Sequence, residues 1–237
     1  PNSAASSRNS PRIHNFQLSP GILAQKTVFW HTFAFWKLRV IGHEAGAIRF
    51  VRQKRQFWGF WMEIWPAIDL RGGKCVRLLQ GDYGRETVFG DDPAAMACRW
   101  VAEGAPCLHL VDLDGARDGR SVNRAAIEAI VRAVQVPCEL GGGIRDRQTI
   151  QQMLDLGLTR LVIGTKALKD PAWFRDMCRA FPGRLAVGID ARDGHVATDG
   201  WLSTSDVAAT ELAREISREP IAAIIYTDIA KDGMMSG

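Results

Sequence analysis

Two stretches of the sequence, PAIDLRGGKCVRL at residues 66–78 and VGIDARDGHVA at residues 187–197, share one pattern. Each is an apolar run that ends in Ile-Asp and continues through a glycine turn. A second pair, VDLDGA at 111–116 and TDIAKDG at 227–233, repeats at an offset of 116 residues, close to the 121 of the first pair. Internal repetition of this kind indicates a fold built from two equivalent halves.

From Met62 onward, short apolar runs alternate with amphipathic stretches, which is typical of repeated βα units and a parallel sheet. Six strands are predicted, each rich in Val, Ile and Leu as expected for strands covered on both faces. They are Ile64–Leu70, Leu108–Leu113, Pro137–Leu140, Arg160–Ile163, Leu185–Ile189 and Ala223–Asp228.

Helices are predicted between these strands. Asp92-Pro93 and Asp170-Pro171 each place a capping acceptor before a proline at the first helical position. Three further helices are expected over Asn123–Val134, Arg145–Leu156 and Asp206–Ser217. Six βα repeats exclude a two-layer sandwich but fit both an open sheet and a closed barrel, because both use right-handed parallel crossovers.

The charge of the chain is divided unevenly along its length. Residues 1–62 hold nine Lys and Arg against one acid, Glu44, so this segment carries +8. The remainder holds 21 basic and 25 acidic residues and carries −4, although the whole chain is +4. The basic pI therefore comes from the first segment, and we predict no nucleic-acid binding.

Residues 1–61 also differ from the rest in composition. The first 62 residues contain seven of the ten Phe and four of the eight Trp, with no sustained strand or helix period. We expect Met62 to be the natural start, with 1–61 a basic, aromatic-rich extension outside the folded domain, residues 62–237. The alternative is a true extension that binds a partner or a membrane surface. The apolar run Thr27–Trp36 is shorter than the ~20 residues that span a bilayer, so no membrane anchor is predicted.

The cysteines and histidines predict no metal site. The five cysteines show no CxxC pair or zinc-like spacing, which favours reduced thiols and a cytoplasmic location. The five histidines form no metal-spaced cluster either. His109, within the apolar run LHLVDL, is predicted to be a core residue rather than a ligand.

Asp69 and Asp190 occupy equivalent positions in the repeated halves, each at the end of a strand. In a barrel the carboxyl ends of the strands surround one active-site mouth, so both side chains would face one cavity. Different surroundings can then keep one carboxyl protonated as an acid and the other ionised as a base. The alternative is that each aspartate only caps a loop.

Two glycine turns follow consecutive strands, ELGGGIRD at 139–146 and VIGTKAL at 162–168. Their bare backbone N–H groups, at Gly142, Gly143 and Gly164, and the hydroxyl of Thr165 predict one phosphate cradle. Plain tight turns are the alternative. The spacing is not the GxGxxG of a dinucleotide fold, so NAD is not implied.

Two further residues are candidates for substrate binding. Arg77 in KCVRLLQGD could bring a positive charge to the mouth, and Trp201 in the DGW loop could stack on a flat ring. Ordinary surface or packing roles are the alternative for both.

Taken together, PAIDLRGGKCVRLLQGD, HLVDLDGA, ELGGGIRD, VIGTKAL, VGIDARDG, DGW and TDIAKDGMMSG resemble the phosphoribosylformimino-aminoimidazole carboxamide ribotide isomerase family of histidine biosynthesis, over about residues 62–237. The resemblance implies an α/β fold, a (β/α)8 TIM barrel, of which about six of the eight βα units are present. PAIDL and DGMMSG resemble the isomerase more than the related cyclase that builds the imidazole ring.

The resemblance also implies a reaction, an Amadori rearrangement of an aldose ribosyl-amine to a ketose without metal or organic cofactor. Asp190 would protonate the ribose ring oxygen, Asp69 would remove the C2 proton, and Thr227 would hydrogen-bond the opening sugar. The substrate is a phosphoribosyl small molecule with two phosphates, one of which would occupy the glycine turns.

The second phosphate site of the family comes from strands 7 and 8, and roughly 60 further residues would be expected for a barrel of ~250. We therefore expect a truncated barrel, a monomer when complete, whose open edge invites self-association. Three alternatives remain: the cyclase, an isomerase that also serves tryptophan synthesis, and an inactive fragment.

Overall fold

The computed structural model describes residues 64–198, 201 and 203–232, so the predicted extension 1–61 lies outside the described residues. The strands are β1 Ala67–Arg71, β2 Lys74–Leu79, β3 Asp82–Gly90, β4 Leu108–Asp112, β5 Cys138–Gly141, β6 Arg160–Ile163, β7 Leu185–Arg192, β8 His195–Thr198, β9 Ser203–Ala208 and β10 Ala223–Asp228. The helices are α1 Pro93–Ala102, α2 Leu113–Asp118, α3 Arg124–Ala133, α4 Arg147–Asp155, α5 Thr165–Lys169, α6 Pro171–Ala180 and α7 Ala209–Ile216, followed by a 3-10 turn, Ile229–Lys231.

Six strands form a parallel, curled sheet in the order β1, β4, β5, β6, β7, β10. These are the six predicted strands, and each is connected to the next through at least one helix. The chain is thus an α/β protein with a partial (β/α)8 barrel, which confirms the barrel over the open-sheet alternative.

Side-chain alternation divides each barrel strand between two environments. Ile68 and Leu70 on β1 and Ile189 on β7 belong to the large apolar cluster that the helices cover. A smaller cluster lies on the other side of the strands and comprises Trp65, Cys107, Ala186, Ala223 and Ile225. Residues with the parity of Ala186 and Ile225 therefore face the barrel interior.

A buried ionic cluster of His109, Glu139 and Arg160 lies at the floor of the barrel interior, and Trp65 packs against it. The parallel register aligns His109 with Glu139 and Glu139 with Arg160. His109 Nδ1 lies 2.6 Å from Glu139 Oε1, the Nε of Arg160 donates to Glu139 Oε2, and the Arg160 guanidinium stacks 4.1 Å from the Trp65 ring centroid. His109 is thus a hydrogen-bonded core residue, as predicted.

The predicted helix starts at Asp92 and Asp170 are confirmed, because their side chains accept from Ala95 N at 3.0 Å and Trp173 N at 3.1 Å. The predicted start of the last helix at Asp206 is wrong. Residues up to Ala208 belong to β9, which pairs with β8, and only Ala209 begins the helix.

Two antiparallel hairpins, β2–β3 after β1 and β8–β9 after β7, were absent from the predicted strands. Most of β3 is exposed and carries polar residues, so it lacks the apolar alternation by which a half-buried strand is recognised. Both hairpins extend from the carboxyl ends of barrel strands in the repeated halves. They border the candidate site.

Candidate active site

The predicted catalytic residues lie at the carboxyl ends of barrel strands and face the interior of the barrel. Asp69 on β1 has the parity opposite to Ile68 and Leu70, and Asp190 on β7 has the parity of Ala186. Thr227 on β10 is the register partner of Asp190. All three therefore belong to the interior side of the same curled sheet.

Asp69 is held by the first hairpin. Arg77 on β2 donates from Nη1 to Asp69 Oδ2 at 3.2 Å and from Nη2 to Asp232 Oδ1 at 2.6 Å. Asp69 is 8% exposed, and its other oxygen, Oδ1, is buried without a hydrogen-bond partner in the part of the chain that the structure describes. Arg77 thus links the end of β1 to the segment that follows β10.

Asp232 was not singled out from the sequence, yet it is 6% exposed and shares Arg77 with Asp69. Its motif, TDIAKDG, contains a second aspartate, Asp228. That residue instead caps the 3-10 turn by accepting from Ala230 N at 3.1 Å. The spacing of the motif does not predict which of the two aspartates lies beside Asp69, because that depends on the position of Arg77 on the hairpin.

The two glycine turns differ in their surroundings. A side chain on Gly142, at φ +100°, would collide with the backbone carbonyl of Asp112, and one on Gly143, at φ +74°, would lie 2.7 Å from the Arg120 backbone. Close backbone packing therefore requires both glycines. Gly164, in contrast, faces open space on the side where a Cβ would project. Thr165 follows it as the first residue of α5.

A buried polar network holds the turn between β1 and β2, from which the first hairpin starts. Asp112 is fully buried and accepts from the backbone N–H groups of Gly115, Val122 and Asn123 at 2.7–3.1 Å. Asp114 accepts from Gly72 N at 2.7 Å, and Asn123 Oδ1 accepts from Gly73 N at 2.8 Å. The turn between β1 and β2 is therefore fixed to α2, through Asp114, and to the start of α3, through Asn123.

This network gives a structural role to the two acids of the VDLDGA motif, for which the sequence predicts none. Asp112 is the N-cap residue of α2. The side-chain amide of Asn123 donates from Nδ2 to Asp112 Oδ1 at 2.7 Å and to Asp114 Oδ2 at 3.0 Å. Two acids two residues apart at a strand end are the signal that the sequence offered. The identity of their partners required the fold.

Trp201 lies against the turn of the first hairpin. The ring carbons Cε3 and Cζ3 are each 2.8 Å from the position that a Cβ on Gly81 would take. Its carbonyl oxygen accepts from Arg192 Nη2 at 3.4 Å. The side chain is half-buried. The structure thus places Trp201 beside the hairpin that carries Arg77.

Two absences hold for the described part of the chain. It contains no group of three or more His, Cys, Asp or Glu arranged to hold a metal ion. Nor does any of its helices combine the length and apolar character needed to cross a membrane.

Comparison with known proteins shows one family match and several similar relatives. A family described as "Histidine biosynthesis protein" matches residues 63–237. The chain is similar to a protein of Rhodopirellula baltica, 62% identical over 179 residues that cover 74% of this chain and 71% of the relative. It is 53% identical over 176 residues to proteins of Crocosphaera subtropica, covering 68% of that protein, and of Methylocella silvestris, covering 72%. All three relatives are named 1-(5-phosphoribosyl)-5-((5-phosphoribosylamino)methylideneamino)imidazole-4-carboxamide isomerase.

Proposed function

This chain belongs to the histidine biosynthesis family and, within it, to the imidazole-4-carboxamide isomerases, and from that membership we propose that it catalyses an Amadori rearrangement. The aldose of the phosphoribosylamino group becomes a ketose within the same molecule. The name that the relatives share favours this isomerase over the cyclase alternative.

The rearrangement proceeds through three proton-transfer steps. First an acid protonates the ribose ring oxygen, the C1–O bond breaks, and the nitrogen lone pair forms a protonated Schiff base. A base then removes the C2 proton, and the resulting enaminol tautomerises to the ketose as C1 gains a proton and the C2 hydroxyl loses one. Nothing is oxidised from outside and no atom is lost, so a carboxylic acid and a carboxylate suffice. We assign the acid to Asp190 and the base to Asp69.

The observation that carries this assignment is the state of Asp69. Arg77 holds one oxygen, while Oδ1 is buried and lacks a hydrogen-bond partner among the described residues. A buried acceptor left without a partner costs about 1–3 kcal/mol. Its location at the carboxyl end of a barrel strand supports a role toward a bound substrate.

Substrate binding is assigned to residues around the same mouth. Thr227, beside Asp190, would bond the opening sugar, Arg77 would place a positive charge there, and Trp201 would stack on the flat imidazole. The N–H groups and hydroxyl of the two turns would hold one phosphate; these residues are Gly142, Gly143, Gly164 and Thr165. Gly164 supports the cradle most directly, because open space lies beside it.

Kinetics with the aminoimidazole carboxamide ribotide test the proposal. We expect Asp69→Asn and Asp190→Asn each to lower kcat by roughly 10²–10⁴, the usual contribution of a positioned acid or base. Asp155→Asn, on the exposed face of α4, is the matched control and should leave the rate unchanged. Wild-type rates in either of the first two variants would refute the assignment.

The same assay addresses the remaining alternatives. A well-folded chain without turnover would favour an inactive fragment. Turnover of the smaller phosphoribosyl amine of tryptophan synthesis would favour the dual-pathway isomerase. We further infer a cytoplasmic protein that is a monomer when its barrel is complete; in this chain the edge of β10, which pairs only with β7 among the described strands, offers a surface for self-association. Gel filtration over a concentration series distinguishes the two states.

A further inference from the structure

The contact between Trp201 and Gly81 joins two residues that both have a left-handed backbone conformation. Trp201 adopts φ +74°, a left-handed conformation that is rare for a bulky residue, and Gly81 adopts φ +71°. Real Cβ atoms essentially never approach within 3.0 Å of a ring carbon, whereas one on Gly81 would lie at 2.8 Å. The indole can therefore occupy this position only because residue 81 has no side chain. A strained residue held in one place by its surroundings is a pointer to function.

The turn that carries Gly81 is itself tied to the barrel mouth. Gln80 donates from Nε2 to the Ala230 carbonyl at 3.5 Å, beyond the end of β10. On the strand leading into this turn, Arg77 bridges Asp69 and Asp232. The hairpin thus contacts both the end of β1 and the segment after β10, and its tip is hydrogen-bonded to that segment.

We propose that Gly81 is a positioning residue that forms the seat of Trp201 and holds the indole over the mouth for stacking on the flat heterocycle of the substrate. This proposal rests on the function proposed above and extends it to a residue with no reactive group. Gly81 contributes a surface against which the ring packs.

Kinetics of Gly81→Ala test the seat. The added methyl group displaces the ring, so we expect the KM for the ribotide to rise about tenfold, the magnitude of one lost aromatic stacking contact. kcat should stay within about twofold, because the reacting groups are untouched. In a Trp201→Ala background, adding Gly81→Ala should raise KM no further.

Gly194→Ala is the matched control. Gly194 has φ +79°, so alanine meets the same backbone cost there, but a Cβ at that position has no atom of the described residues within 4 Å. Similar losses of thermal stability in the two alanine variants, with a raised KM only for Gly81→Ala, support the seat. An unchanged KM in Gly81→Ala, or additive effects with Trp201→Ala, would overturn it.

A second measurement does not depend on turnover. Fluorine NMR of protein labelled with 7-fluorotryptophan places the probe away from Cε3 and Cζ3, and Trp201→Phe assigns its resonance. We expect Gly81→Ala to shift that resonance and Gly194→Ala to leave it in place. An unmoved resonance in Gly81→Ala refutes the seat even if the chain proves inactive, whereas a shifted resonance without turnover refutes only the enzymatic function.

Discussion

The buried ionic cluster at the barrel floor makes Glu139→Gln the most informative perturbation of stability. Glu139 is fully buried and is bonded by His109 and Arg160. The substitution keeps the shape of the side chain but removes its charge, which leaves Arg160, a residue that is only 6% exposed, without the carboxylate that neutralises it. Breaking one partner of a buried ion pair costs about 3–5 kcal/mol. Because the amide oxygen can still accept one hydrogen bond, we expect about 3 kcal/mol.

This loss is large enough for simple assays. In a domain of this size each kcal/mol lowers the melting temperature by roughly 2–4 °C, so Glu139→Gln should melt roughly 10 °C below the wild type. Chemical denaturation followed by circular dichroism measures the free energy directly. Glu103→Gln is the matched control: its partner, Arg99, is 67% exposed, and the pair contributes under about 0.5 kcal/mol.

The pH dependence of this difference follows from the pKa of Glu139. Burial by itself raises that pKa, but the hydrogen bonds from His109 and Arg160 more than offset burial and hold it below its ordinary 4.5. The contribution of the carboxylate is thus complete above pH 4.5 and is lost as pH falls through the lower folded pKa. The gap between wild type and Glu139→Gln should be constant near neutrality and narrow in acid. A gap under 1 kcal/mol at neutral pH, or one that widens in acid, would refute the reasoning.

Three further predictions concern other parts of the molecule. Asp112→Ala should destabilise the fold by about 3 kcal/mol in urea unfolding, because three backbone N–H groups, two of them in buried hydrogen bonds, lose their acceptor. Asp118→Ala, at the end of α2, should change the stability far less, and equal losses would contradict the network. Only Cys98 should react rapidly with a thiol reagent at pH 8, because it is exposed while the other four cysteines are buried; burial also raises the pKa of two of these thiols to about 11 and of a third to about 12. Fast labelling of two or more sites in the folded chain would be inconsistent with this. Thr165→Val should raise the KM for the ribotide with kcat unchanged, since a phosphate remote from the reacting atoms is bound equally well in the ground state and in the transition state. Thr210→Val, at an exposed position near the start of α7, is the control and should change neither KM nor kcat. A wild-type KM for Thr165→Val would show that this hydroxyl does not bind the phosphate.

The strands were predictable because their signal is local. A barrel strand covered on both faces must be apolar throughout, so all six parallel strands could be read from short Val, Ile and Leu runs. Helix starts with an Asp-Pro pair are local as well, since cap and proline act within one turn. The two hairpins carry no such signal. Residues 206–208 pair as a strand because of their neighbours in β8, not because of their own pattern.

The candidate site shows the same division. The repeat alone placed Asp69 and Asp190 at matching strand ends, because side-chain parity follows from counting along a strand. Sequence could not place Asp232 beside Asp69, since one arginine on an unpredicted hairpin joins residues far apart in the chain. Nor could it show that Gly142 is required by a neighbouring carbonyl while Gly164 is not. The order of strands and the chemistry at their ends are properties of short segments, whereas the partner of each side chain depends on how distant segments pack.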